Sequence, residues 1–282
     1  MKYRVQKTLP MILLVFLICE LVKDVEFLVL KTDQTFLAEN IICKVLAIGV
    51  VFICLRQYHL TWDDIGFDLS GILRGAALGL SLGLVTYGAS YLAEYLILQN
   101  AGLNPRFAFY ITNFSISNAA PSAAGVSFWA LAVCLLGNLI NVWAEEGLFR
   151  GLFLRLGKMS YSEKQANLIQ AVLFGLWHLI IVVVWYADGS ITAPAALVTA
   201  LGYMALAGIL GYEWGLCAAL TGAIWAGAFE HFFNNFIGNT LHVITDTGAD
   251  ELQIVRILIS NVLSLVIVIG LTERQNQSKR AY

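Results

Sequence analysis

From Leu9 onward the chain is mostly apolar, and its charges arrive in clusters that cut it into runs of similar length. A membrane-spanning helix needs ~17–25 residues. The runs that qualify are Leu9–Leu30, Phe36–Leu55, Ile72–Leu98, Val126–Leu148, Ala166–Tyr186, Pro194–Tyr212, Gly215–Ile237 and Leu252–Leu271. This pattern predicts an all-α, polytopic integral membrane protein with about eight transmembrane helices. Glu20, Lys23, Asp24 and Glu26 interrupt the first run, which reads as a short span followed by a surface turn. Met1–Cys19 mimics a signal peptide, but no small-residue cleavage site follows, so a retained first span is expected.

Composition supports the membrane reading. Of 282 residues, 59% are hydrophobic and 13% charged, with a mean hydropathy of +0.75. Soluble domains average about 45–50% apolar and about 25% charged. The net charge of −2 and the lack of a basic run point away from nucleic acid and leave membrane lipid as the expected surroundings. Cys19, Cys43, Cys54, Cys134 and Cys217 lie in apolar segments without metal-ligand spacing, as small buried hydrophobes do. Three regions follow: residues 1–125 with N-terminal transmembrane helices and interfacial loops, 126–240 as a helical core, and 241–282 with the last span and a tail.

Basic residues orient the spans. With eight crossings, Lys2, Arg4, Lys7, Arg56, Arg74, Arg155, Lys158, Lys164, Arg274, Lys279 and Arg280 fall on one side. Lys23, Lys31 and Arg106, with Lys44 and Arg256 at helix edges, fall on the other. That excess predicts cytoplasmic N- and C-termini. In the third run Gly71, Gly75, Gly79 and Gly83 form a smooth stripe for close helix packing. Arg56–Leu69 mixes charge with Trp62, Ile65 and Phe67 and reads either as a short interfacial helix or as a polar connection.

Ionisable groups inside spans cost roughly 2.5–3.5 kcal/mol each on insertion scales, so three polar clusters stand out. The first is E-E-G-L-F-R, Glu145–Arg150. Glu146 and Arg150 are four apart, acid first, and can neutralise each other. Glu145 points about 100° away and is the candidate base. A helix end at the cytoplasmic surface would explain all three equally well. The second is His178 in F-G-L-W-H, with Phe174 four residues earlier on the same face; a satisfied structural histidine is the alternative. The third is His231 in H-F-F-N-N, four before Asn235, where two donors could meet an oxyanion. A polar helix end capped by Asn234 and Asn235 is the competing reading. At 1.5 Å per residue, Glu145 stands ~15 Å above Arg155, His178 ~21 Å above Lys164 and His231 ~27 Å above Glu213. Tilt could absorb that spread.

Taken in order, E-E-x-x-x-R, F-x-x-x-H and H-x-x-x-N resemble the three motifs of the CAAX protease and bacteriocin-processing family of intramembrane endopeptidases. The resemblance covers roughly Val126 to Ile237. It implies hydrolysis of a peptide bond in a hydrophobic or prenylated peptide or protein tail, either CAAX-type or leader-peptide processing. Glu145 and His178 would activate water, His231 and Asn235 would stabilise the oxyanion, and Glu146, Arg150 and Phe174 would support them. Glu145, His178 and His231 could instead ligate Zn²⁺. However, no H-E-x-x-H is present, and a metal-free glutamate mechanism is preferred. Two rivals stand: a catalytically silent peptide-binding or bacteriocin-immunity protein using Gln99–Ser127 and Gly238–Glu251, and a small-solute transporter. No internal repeat or Gly/Pro-broken helix pair favours the transporter.

Overall fold

The computed structural model describes residues 8–34, 40–112 and 126–280. The basic N-terminus, the start of the Phe36–Leu55 run and much of the Gln99–Ser127 connection lie outside the described residues. Helices dominate: α1 (Thr8–Val25), α2 (Ile42–Tyr58), α3 (Ile72–Asn100), α4 (Phe128–Glu145), α5 (Leu154–Lys158), α6 (Glu163–Trp177), α7 (Leu179–Ala187), α8 (Ala193–Thr221), α9 (Trp225–Thr240) and α10 (Gln253–Arg280). Between α4 and α5 the helix continues as a π-helix, Glu146–Phe153, so one long rod carries the first motif.

Among the described residues, five helices are long and apolar enough to cross a membrane: Leu69–Asn100, Phe128–Lys158, Glu163–Ala187, Ala193–Thr221 and Gln253–Lys279. The protein is therefore an all-α, multi-pass membrane protein. Its surface fits a lipid solvent: Phe128 is 86% and Leu73 81% exposed, while Glu146, Glu213 and Arg256 are 0% exposed.

The cut expected between Tyr212 and Gly215 is absent. Glu213 sits at 0% exposure and accepts from Ser264 Oγ (2.5 Å), so its charge marks an internal contact and α8 runs on. The helix stops at Gly222, whose φ of +78° suits glycine.

The Gln99–Ser127 and Gly238–Glu251 segments each contribute a strand to a two-stranded antiparallel sheet, β1 (Arg106–Phe109) with β2 (Leu241–Ile244). Below it, Arg256 pairs with Glu94 and with Asp250 (Nη2 to Oδ2, 2.6 Å), and Asp250 contacts His242 Nδ1 (3.1 Å). His242 in turn stacks on Tyr110 with ring centroids 3.8 Å apart. Arg256, expected at a helix edge on the outer side, is thus the hub of a buried latch.

The glycine stripe does pack. Gly75, Gly79 and Gly83 lie against Trp225, Ala226, Glu230 and Phe233 of α9; a Cβ on Gly79 would lie 2.8 Å from the Glu230 backbone nitrogen. This close approach seats the helix that carries His231. The Arg56–Leu69 segment is neither a helix in the interface nor a plain polar link. It folds into short 3₁₀ turns and buries Ile65 and Phe67 beside Gly151 and Gly147 of the π-helix. Gly66 O accepts from Ile224 N (3.0 Å) and Asp68 O from Trp225 Nε1 (2.7 Å), which anchors the start of α9.

Candidate active site

The three motifs enter one cavity of about 170 Å³. Its lining includes Glu145, Phe174, His178, His231, Asn234 and Asn235, together with Lys23, Asn40, Cys43 and Lys44 from the N-terminal part of the chain. A water needs roughly 10–15 Å³ of such space and two to four polar partners, so the cavity has room for several.

Glu145 ends α4, and Glu146 opens the π-helix. π-Bulges mark places where a helix re-aims side chains, often at functional sites. Glu145, Glu146 and Arg150 are 7%, 0% and 2% exposed, which rules out a surface helix end. Glu146 Oε1 lies 3.4 Å from Arg150 Nη1, the expected i,i+4 pair. The guanidinium also lies over Phe174 (3.9 Å to the ring centroid) and near Trp214 (4.9 Å). Two expectations need correction. Glu146 is not held by Arg150 alone, because His231 Nδ1 lies 2.9 Å from its Oε1. Nor is Glu145 without a partner: Trp177 Nε1 donates to its Oε1 (2.9 Å) and His231 Nε2 lies 3.6 Å from its Oε2.

His178 is not mid-helix. It is the break between α6 and α7, with φ −92° and ψ −4°. Its Nδ1 lies 2.8 Å from the Phe174 carbonyl oxygen. A carbonyl only accepts, so Nδ1 carries the hydrogen and neutral His178 presents a lone pair at Nε2. Phe174 walls the ring edge-on at 4.7 Å, and Tyr203 stacks near-parallel at 5.9 Å. His231 stacks on Trp214 at 4.1 Å.

Asn234 and Asn235 do not cap a helix end, since α9 continues to Thr240. Asn234 accepts from the Tyr87 hydroxyl, while Asn235 lines the cavity. Glu230 turns the other way: it and Glu213 both accept from the single Ser264 hydroxyl. One hydroxyl hydrogen cannot serve two carboxylates, so that pair holds a further proton or counter-charge.

Among the described residues, the trio of possible metal ligands whose donor atoms all lie within 4.8 Å of one another is Glu213, Cys217 and Glu230. Glu145, His178 and His231 do not form such a trio, so as placed they do not fit a zinc ion.

The sequence places Lys23 on the outer side, yet the residue is 5% exposed and lines the cavity. It donates to the Trp177 carbonyl and sits 3.9 Å from the Trp177 ring centroid. Glu26, also buried, accepts from Thr32 Oγ1 (2.5 Å) and from the backbone N–H groups of Ile42 (2.8 Å) and Cys43 (2.6 Å). It thereby caps α2. The signal for both residues is the charge cluster inside the first apolar run.

No curated protein matches the chain, and no solved structure does. Residues 127–237 match the family described as Type II CAAX prenyl endopeptidase Rce1-like. That stretch, less than half of the chain, holds all three motifs, so the similarity is to that family over the helices that carry them.

Proposed function

We propose that the protein is an intramembrane endopeptidase that hydrolyses a peptide bond in a hydrophobic or prenylated peptide or protein tail. The observation that carries this reading is a pair of acceptors facing one cavity with room for water. Glu145 Oε2 has no hydrogen-bond partner, and His178 has a free Nε2 lone pair. Together they match the two hydrogens of one water.

Glu145 takes one proton as the water oxygen bonds to the substrate carbonyl carbon. The developing oxyanion receives the Asn235 amide N–H and the His231 Nε2–H. With Nδ1 of His231 turned to Glu146, this role uses the ring's other nitrogen, Nε2, on the Glu145 side. When the C–N bond breaks, Glu145 returns its proton to the leaving amine. Glu146 and Arg150 hold His231 and the π-helix in place. No step passes through a metal ion.

Both termini are assigned to the cytoplasm. The burial of Lys23 and Arg256 supports this, since it removes two cations from the count on the opposite side. Reconstituted protein incubated with candidate hydrophobic or prenylated peptides, followed by mass spectrometry of the products, tests the function. Cleavage that resists chelators and is lost in Glu145→Gln is the expected result. Intact peptides together with solute flux across the vesicle would point to transport instead.

A further inference from the structure

Lys23 is a buried amine that has no contact counter-ion among the described residues. Among the described residues no carboxylate lies within 4 Å of its Nζ, and Glu20, Glu145 and Asp24 act on it only from further away. Its neighbours are one carbonyl, that of Trp177, and the faces of Trp177 (3.9 Å) and Phe27 (5.7 Å). An ammonium has three donors, and the Trp177 carbonyl takes one. A charge at this depth is costly and is retained when something in the cavity meets it. Lys44, half-buried, lines the same region with Asn40.

Its position relative to the reacting groups is fixed by one residue. The Trp177 indole holds Glu145 and the Trp177 backbone carbonyl holds Lys23. An apolar peptide lying in a lipid-bounded cavity can do without charged side chains. The charge it cannot shed is that of its own C-terminus.

We propose that Lys23 is the docking point for the substrate's C-terminal α-carboxylate, which makes it a specificity-determining residue that selects chain ends over internal segments. The idea rests on the peptidase reading above. It explains why the first helix, outside the three-motif core, delivers a cation to the cavity.

The test uses full-length protein in vesicles and three fluorescent peptides of one apolar sequence: the free acid, the C-terminal amide, and the amide with an aspartate near the end. Binding to the Glu145→Gln protein is read by anisotropy and cleavage by the wild type is read separately, so failure of cleavage does not obscure the docking result. The acid should bind roughly 10–100-fold tighter than the amide, the scale of a lost charge-assisted hydrogen bond. In Lys23→Gln the acid-to-amide ratio should fall toward one, and Lys23→Arg should restore part of it, chiefly through KM. Equal binding of acid and amide by protein that still carries Lys23 would overturn the proposal, and that comparison needs no Lys23 variant to fold. Recovery of binding by the aspartate amide would overturn the assignment to the chain terminus. A Lys23→Gln defect confined to kcat, with the ratio intact, would make Lys23 a positioning residue for Glu145 and would also overturn it.

Discussion

His231 bridges the two adjacent glutamates: its Nδ1 lies 2.9 Å from Glu146 Oε1 and its Nε2 3.6 Å from Glu145 Oε2. One ring therefore ties the third motif to both acids of the first. The two acids nevertheless have different surroundings. Each keeps one oxygen, Oε2, without a hydrogen-bond partner, but Glu145 lines the cavity, whereas Glu146 lies outside its lining with Oε1 between Arg150 and His231. Their substitutions should separate cleanly. Glu145→Gln keeps an oxygen for Trp177 to donate to but loses the base, so cleavage should fall by about 10²–10⁴ with little change in thermal stability. Glu146→Gln leaves Arg150 buried without its counter-charge and should cost about 3–5 kcal/mol of stability. Peptide cleavage and thermal unfolding in detergent, measured on both variants, check the division.

Asn235 and Asn234 both line the cavity, and Asn234 also accepts from the Tyr87 hydroxyl. Asn235→Ala should lower kcat by about 10²–10³, the usual loss for one oxyanion donor, with KM little changed. Asn234→Ala removes the partner of the Tyr87 hydroxyl and should act on α3–α9 packing instead. Steady-state kinetics on the pair distinguishes them.

Gly79 seats α9 against α3. A methyl group there meets backbone at Ala226 and Glu230, one residue before His231. Gly79→Ala should therefore displace α9 and lower both stability and cleavage, by the roughly 1–3 kcal/mol typical of overpacking. Gly88 lies on the same helix, and no described atom stands within 4 Å of where its Cβ would be, so it should accept alanine without loss. Melting temperatures of the two variants provide the comparison.

The latch under the sheet should be acid-sensitive. Burial raises the Asp250 carboxyl, but hydrogen bonds from His242 and Arg256 outweigh it and hold the group below its usual value. A depressed folded value stabilises the protein fully above the unfolded value of about 3.9, and that contribution is lost as pH falls through the lower folded value. Unfolding followed from about pH 5 downward should show this loss, and Asp250→Asn should abolish that part of the pH dependence while destabilising the protein at neutral pH.

How much of this was legible depends on what each charge was doing. Apolar runs located the helices because lipid leaves few alternatives to a continuous hydrophobic segment. The motif spacings placed Glu146 beside Arg150 because i,i+4 neighbours on a helix meet whatever surrounds them. Charges read as boundaries mislead where they are internal. Glu213 suggests a loop, yet its contact with Ser264 lets α8 continue. Lys23 looks like a loop cation and Arg256 like one at a helix edge, yet each is buried against residues more than a hundred positions away. The π-register at Glu146–Phe153, the Trp177–Glu145 bond and the β1–β2 pairing arise from tertiary contacts, and local periodicity carries no trace of them.

The most direct test of the central claim is isotope-resolved mass spectrometry of a hydrophobic peptide incubated with the reconstituted protein in ¹⁸O-water. The wild type should release two fragments with a single ¹⁸O in the newly formed carboxylate, and Glu145→Gln, folded to the same extent, should release neither. Labelled fragments at wild-type rates from the Glu145→Gln protein would contradict the account.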